Sequence, residues 1–370
     1  MEQTLSAINI LFDATGREQL GSYRIPFVAV RDVIASRKDC RVVSKSESIE
    51  PDVVFCLAGQ GRVQINKLKF PFAKIVLFKP HHENTLFLTP FKNPYKTISE
   101  IYSFLKDRRN RDKLNSDIAQ ADYLIADSRK LKQHFDSIGY KSHFMRLMER
   151  VTIRAQSPKT LDFDKGNITV LFHGSTTHYT SNVIFINSIL RYLSQRSKVL
   201  FLCMMNQASP SHKINIHNVD VKYYDYDYNT LIDLISKTDL GLVPNFIYPR
   251  RFLNGIFGQL LFFGSYQEKA EAILQKQSSN AGRAYLFAHY GVPFLAHPTN
   301  EILMDFCQIK GLCFPSDAQE AAYFCNELLE NRRLYEDISA QLLTFSDHHN
   351  LDTEVEKLLC LLKTVKDNKH

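Results

Sequence analysis

The sequence predicts an α/β protein built as two parallel-sheet, Rossmann-like domains in succession. Three observations carry this. The chain has 370 residues, too many for one ordinary core and natural for two. Short apolar runs alternate with helix-length amphipathic segments through both halves, the pattern of βαβ units. The segment 150–167 contains Ser157-Pro158-Lys159 and Lys165-Gly166-Asn167 and has the polar composition of a linker. The expected domains are therefore 1–155 and 156–350, followed by 351–370, which carries a final amphipathic helix.

The elements follow in order. Ile-Asn-Ile-Leu-Phe at 8–12 reads as a strand closed by the turn residues Asp13 to Gly16. Further strands are expected at 41–44, 53–57, 74–78, 123–126 and 143–147. Val-Val-Phe-Cys-Leu and Lys-Ile-Val-Leu-Phe, at 53–57 and 74–78, are nearly unbroken apolar runs, as in strands covered on both faces. Helices are expected at 22–37, 97–118 and 128–138, the last behind a Ser128 cap. In the second half, strands are expected at 168–172, 198–203, 219–223, 240–243, 292–296 and 312–314. Helices are expected at 181–195 behind Thr180 or Ser181, 228–237 behind Asp227, 279–290, 299–307, 316–330, 332–345 and 352–366. Tyr290-Gly291-Val292-Pro293 stops the helix at 279–290, and Pro298-Thr299-Asn300 caps the next.

Bulk properties exclude several classes. Hydrophobic residues make up 44% of the chain, ordinary for a globular protein and too many for disorder. No run of about 18 apolar residues occurs, so no spanning helix is expected. The N-terminal Met-Glu-Gln-Thr-Leu-Ser has neither the basic region nor the apolar stretch of a signal peptide. Seven scattered cysteines without a C-x-x-C pair, with Cys56, Cys203 and Cys360 in apolar runs, read as buried thiols of a cytoplasmic protein. The net charge of +7 favours anionic partners. Its densest stretch, Lys106 to Lys113, reads first as a solvated helix face and second as a contact for an acidic acceptor or for anionic headgroups at the inner face of a membrane. No aromatic or glycine pattern accompanies it, so no nucleic-acid partner is expected.

The chemistry concentrates at 276–301. There a polar loop, Lys276-Gln-Ser278-Ser279-Asn280-Ala-Gly-Arg283, opens the helix that Gly291 ends, and a short strand leads to a second helix start near 300. This aims two helix N-termini at one sheet edge, a favourable seat for a diphosphate. Lys276 and Arg283 would supply the cations. Earlier, His173-Gly174-Ser175-Thr176-Thr177-His178 follows the first strand of the second domain, where a glycine admits a phosphate and hydroxyls can bond it. Asp13 to Ser22, containing Gly16, Arg17 and Gly21, follows the first strand of the chain. It is not a G-x-G-x-x-G, so a nicotinamide cofactor is disfavoured. Lys79-Pro-His81-His82-Glu83 ends another strand, and a histidine suits a general base there. Asp225-Tyr-Asp227 spells a D-x-D, but Asp227 is better read as a helix cap, and no metal site is expected.

These pieces, with Ala121 to Ser128 and Thr238-Asp-Leu-Gly-Leu-Val-Pro244, resemble GT-B glycosyltransferases of the glycosyltransferase 4 type, in the "K-S-x-x-R … A-x-x-G-V-P" form. The resemblance covers most of the chain. It implies two Rossmann-like domains facing across a cleft, the first holding the acceptor and the second a nucleotide-sugar donor, with the C-terminal helix packing back on the first. It implies transfer of a sugar to a hydroxyl of a glycan or glycolipid, as in polysaccharide biosynthesis, with the nucleotide-sugar as co-substrate and no resident cofactor. Gly174, Ser175, Thr176, Thr177, Ser278, Ser279, Asn280 and Glu301 would hold the donor; Gly16, Arg17, Gly21 and Ser22 the acceptor. His82, Asp13, Arg283 and Lys276 would carry the chemistry, with Glu83, Arg250 and Arg251 as weaker candidates. One departure stands out. Many retaining members carry a glutamate, seven residues, then another, where this chain has Ser278 and Leu286. A catalytically lapsed scaffold or binding protein is therefore one rival reading, and sugar-nucleotide epimerisation another. Residues 244–277 read as an insertion: a self-packed loop, an acceptor flap or an apolar docking patch.

Overall fold

The structure is a computed structural model that describes residues 7–18, 21–78, 80, 108–162, 166–207, 210, 213–244, 281–315 and 317–367. These fall into two compact units. One combines the stretch ending at Arg150 with the C-terminal stretch from His349; the other is Val151–His348.

The first unit holds a six-stranded parallel sheet. Its strands are β1 (Ile8–Asp13), β2 (Cys40–Val43), β3 (Val53–Leu57), β4 (Lys74–Phe78), β5 (Tyr123–Ala126) and β6 (Ser142–Phe144), in the order β2-β1-β3-β4-β5-β6. In the register, Phe12 lies beside Phe55 and Phe55 beside Val76. Val54, Phe55, Cys56 and Ile75 to Phe78 are completely buried, which is why these strands read as unbroken apolar runs. Phe12, Phe55 and Phe78 meet edge to face, at 4.9 and 5.0 Å between ring centroids, a favoured aromatic geometry.

The helical run after β1 passes from Gly21–Tyr23 through a π turn, Arg24–Ala29, into α1 (Val30–Ala35). Pro26 lies inside that turn and has no N–H to give the ladder, a recognised cause of such widening. Helices α2 (Val63–Lys69), α3 (Arg108–Gln120) and α4 (Arg129–Ser137) complete this part of the unit. Ser128 caps α4 by accepting from Leu131 N at 3.1 Å. Helix α2 was not expected from the sequence. Only Val63 and Asn66 of its seven residues are buried, so it lacks the apolar stripe that marks a helix.

The second unit holds a five-stranded parallel sheet of β7 (Asn167–Gly174), β8 (Lys198–Met205), β9 (Val219–Asp225), β10 (Leu240–Val243) and β11 (Phe294–Ala296), in the order β11-β10-β7-β8-β9. Its helices are α5 (Thr176–Ser194), α6 (Tyr228–Ser236), α7 (Gly282–His289), α8 (Asn300–Phe306), α9 (Ala318–Glu330) and α10 (Arg332–His348). Helix α5 starts five residues earlier than expected, because Ser175 rather than Thr180 is the cap and accepts from His178 N at 3.1 Å. Residues 312–314 form no strand. The linker-like segment is tied down in this unit. The Lys159 ammonium donates to the Ser236 and Thr238 carbonyls at 2.8 and 2.5 Å, closing the C-terminus of α6.

Helix α7 ends in a Schellman motif. Val292 N donates to Phe287 O and Gly291 N to Ala288 O, both at 3.0 Å, and Gly291 takes φ 58°. A Cβ on Gly291 would lie 2.6 Å from Ser339 Oγ, which itself accepts from Lys159 N at 2.7 Å and has little room to move. Gly291→Ala therefore combines left-handed strain with a clash and should cost about 2 kcal/mol or more. Urea unfolding would measure it, and an unchanged midpoint would contradict this packing.

The last helix, α11 (Leu351–Asp367), belongs to the first unit and packs on α1. Glu354, almost fully buried, accepts from Arg146 N at 3.1 Å, from Arg146 Nη1 at 3.2 Å and from Lys357 Nζ at 2.7 Å. Arg37 pairs with Glu356, and Lys363 with Asp39 at 2.7 Å. Hydrogen bonds from Arg37 and then Lys363 hold the Asp39 carboxyl far below the usual carboxylate range. Cys56 and Cys203 are buried, but Cys360 is exposed. Its place in an apolar run misled, because it falls on the outer face of α11, beside Glu356.

Candidate functional site

In the second unit the sheet grows outward from β7, through β8 and β9 on one side and through β10 and β11 on the other. The connections after β7 and β10 therefore diverge at the carboxyl ends of two adjacent strands. In open α/β sheets that point of reversal is where ligands bind.

Arg283, in the first turn of α7, lies across this point. Its Nη2 donates to Pro244 O, just past β10, at 3.0 Å, and its Nη1 approaches His173 O on β7 at 3.5 Å. The guanidinium sits 5.6 Å from the centroid of the Phe172 ring, a cation–π distance. A Cβ on Gly174 would come within 3.4 Å of Nη1 and 3.3 Å of Phe172 Cζ. Glycine at 174 thus leaves the arginine its seat. Burial pushes the Arg283 guanidinium down to about 10, which still leaves it charged at neutral pH.

The corner after β7 is pinned from β8. Thr176 donates through both its N–H and its hydroxyl to Asn206 Oδ1, at 2.7 and 3.0 Å. Asn206 and the Pro244 carbonyl were not singled out in the sequence; the one available signal was a polar residue immediately past a parallel strand. Ser175 is the cap of α5, and Thr176 and Thr177 lie in its first turn. At α7 the cap residue is Ala281, which makes no side-chain cap hydrogen bond. Thr299 caps α8, and Glu301 in its first turn is fully buried. Leu286 is 1% exposed and belongs to the core. Asp227 caps α6, accepting from Thr230 N and Oγ1, both at 2.7 Å; the bond from the Thr230 N–H is foremost in holding its carboxyl below its ordinary value. Asp225 ends β9. Among the described residues no group of three or more His, Cys, Asp or Glu is placed to hold a metal ion.

In the first unit, Asp13 ends β1 and is 4% exposed. Its Oδ1 accepts from Lys45 at 2.6 Å and its Oδ2 from Asn66 at 2.7 Å. Both partners were missed in the sequence because they come from other connections. The following loop is held by Gln60, which bonds Thr15 N and O at 2.9 and 2.6 Å. Gly16 lies under the Tyr23 ring, where a Cβ would meet Cγ at 2.3 Å. Arg17 is exposed, and Gly21 and Ser22 open the helical run. A cavity of about 260 Å³ lies at the carboxyl ends of β1 and β2, lined by Phe12, Tyr23, Phe27, Arg31, Ser44 and Lys45 among others. Lys79, His82, Glu83, Arg250, Arg251, Lys276, Ser278, Ser279 and Asn280, with most of the insertion at 244–277, lie outside the described residues.

Two α/β units with parallel sheets, the second completed before a final helix that returns to the first, define the GT-B fold. The chain is similar over 96% of its length to the whole of HepE from Anabaena, solved in complex with UDP-glucose, at a TM-score of 0.56 and 12% identity. It is also similar over 98% of its length to 97% of the N-terminal domain of trehalose-6-phosphate phosphatase from Candida albicans, at a TM-score of 0.55 and 9% identity. The likeness is one of fold and does not extend to a particular glycosyltransferase family. No family model matches the sequence, and no curated protein matches it.

Proposed function

We propose that the chain is a glycosyltransferase that moves a sugar from a nucleotide-sugar to a hydroxyl of a glycan or glycolipid acceptor, without a metal. The observation that carries this reading is the Arg283 guanidinium held over Gly174 where β7 and β10 diverge. A departing nucleoside diphosphate gains negative charge as the glycosidic bond breaks. A pre-oriented arginine and the positive end of the α7 dipole stabilise that charge without the reorganisation water would need. Lys276 would add a second cation. The hydroxyls of Ser175, Thr176 and Thr177, with Ser278, Ser279 and Asn280, would complete the donor seat, and Glu301 would support it from the start of α8. The first unit would take the acceptor through Gly16, Arg17, Gly21 and Ser22. Both carboxylate oxygens of Asp13 are engaged by Lys45 and Asn66, which favours His82 as the base that accepts the acceptor proton.

Thermal shift with UDP, GDP, ADP and CMP, each with and without EDTA, tests the donor site. A nucleotide at about 100 times its dissociation constant should add about 2.7 kcal/mol of stability, and EDTA should not remove the effect. No response to any of the four would refute the reading, and strict dependence on Mn²⁺ would move attention to Asp225 and Asp227.

One observation favours a lapsed binding protein as the second reading. Leu286 stands in the core where retaining relatives carry a glutamate, so no carboxylate grips the ribose from that position. Slow hydrolysis of a nucleotide-sugar by the purified protein would decide against it.

A further inference from the structure

The cavity at the carboxyl ends of β1 and β2 is chemically two-sided. Its volume of about 260 Å³ lies just under the range of ligand pockets, about 300–1,000 Å³, and suits one ring-sized group. One side is aromatic. Tyr23 stacks on Phe27 at 5.7 Å between ring centroids, and Phe27 meets Phe12 edge to face at 5.6 Å. The three rings brace one another and form a fixed wall. The other side is cationic. Arg31 and Lys45 are the charged residues of the lining, and no carboxylate joins them there. Lys45 commits one of its three donors to Asp13 Oδ1, at 2.6 Å. Arg31 donates through Nε and Nη2 to Asp32 Oδ1, both at 3.1 Å, and its Nη1 has no bond among the described residues. The side chains of that pair are 40 and 49% exposed, and so exposed an ion pair holds its arginine weakly.

We infer that this cavity takes a sugar ring bearing an acidic substituent, a carboxylate or a phosphate, and that this ring is the recognised unit of the acceptor. The aromatic wall receives the C–H face of the ring, and Arg31 and Lys45 receive the acid through charge-assisted hydrogen bonds. A neutral sugar would leave both cations without a gain in charge pairing, and a bare anion would leave the aromatic wall unused. Through Lys45 the occupant is brought beside Asp13 at the end of β1. The role of acceptor rests on the transfer reading; occupancy of the cavity does not, because it is measured without a donor.

The test is saturation-transfer NMR of the full chain with glucuronate, mannose 6-phosphate, methyl glucoside and inorganic phosphate. At least one of the two acidic sugars should bind about tenfold more tightly than methyl glucoside, and less tightly as salt is raised. A response to only one of them supports the inference and names the acid group. The double variant Arg31→Gln, Lys45→Gln should weaken that binding about tenfold or more. Arg41→Gln removes the same charge from β2 at a residue that pairs with Glu47 outside the cavity lining, and should leave binding unchanged. Circular dichroism checks the fold of each variant; should the double variant misfold, Arg31→Gln alone takes its place. Failure of both acidic sugars to bind overturns the inference. So do equal binding of methyl glucoside, displacement of the sugar by equimolar inorganic phosphate, and undiminished binding by the folded variant. A retained nucleotide response alongside failed sugar binding would leave the transfer reading standing. Sugar binding without any nucleotide response would uphold the occupant and overturn its role as acceptor.

Discussion

Arg283→Ala should lower sugar transfer on the order of a hundredfold, equivalent to about 3 kcal/mol in the barrier. The loss should fall mainly on turnover, because the cation meets charge that is greatest as the diphosphate departs. Arg283→Lys should recover only part, since a point charge cannot span the Pro244 and His173 carbonyls as the planar guanidinium does. Gly174→Ala should act in the same direction more weakly, by crowding Nη1 from 3.4 Å. Gln277→Ala, next to Lys276 in the sequence, is the control that should stay near wild type. Rates for donor hydrolysis and transfer, with a melting curve for each variant, measure this. Near-normal turnover in a folded Arg283→Ala protein would remove the arginine from the mechanism.

The second large effect concerns pH. His289, at the end of α7, is 1% exposed, and neither ring nitrogen has a hydrogen-bond partner among the described residues. Burial, reinforced by the nearby Arg154, pushes its pKa from 6.5 down to about 4. Burial also pushes His297, just past β11, from 6.5 to about 4. A depressed histidine favours the folded state only while it is neutral. Above about pH 6.5 both states are neutral and the group contributes no pH dependence. As the pH falls toward 4, the unfolded chain binds a proton that the folded one refuses, so stability declines. The loss approaches about 3 kcal/mol for His289 and somewhat less for the partly exposed His297. Urea unfolding between pH 7.5 and 4.5 should therefore show a falling midpoint, and His289→Leu should flatten the slope. A slope that His289→Leu leaves untouched would mean that the ring is protonated inside the fold.

Most strands were legible because both sheets are parallel and covered, so that β3, β4 and β10 had to be written as continuous apolar runs. Four strand extents matched as read: Val53–Leu57, Lys74–Phe78, Tyr123–Ala126 and Leu240–Val243. Helix α2 was illegible for the opposite reason, since Ile65 and Leu68 face outward and cancel the periodicity. The start of α5 was misplaced because four further Ser or Thr residues, Thr176, Thr177, Thr180 and Ser181, follow Ser175, and composition does not say which one caps. In the site, the placing of Arg283 beside Gly174 follows from βαβ order, as the sequence shows strand ends and helix starts. The Asn206, Pro244, Lys45 and Asn66 contacts were not readable, because each joins residues at least 30 positions apart.

Helix α11 has a consequence for biosynthesis. The first unit is begun before the second is made but is closed after it. Until 351–367 emerge, the surface of α1 is uncovered, and Arg37 and Arg146 wait for Glu356 and Glu354. The second unit contains no such debt to later sequence, so it can mature first, inverting the usual N-to-C order of folding on a nascent chain. A chain stopped before Leu351 would release a finished second unit with the first still open.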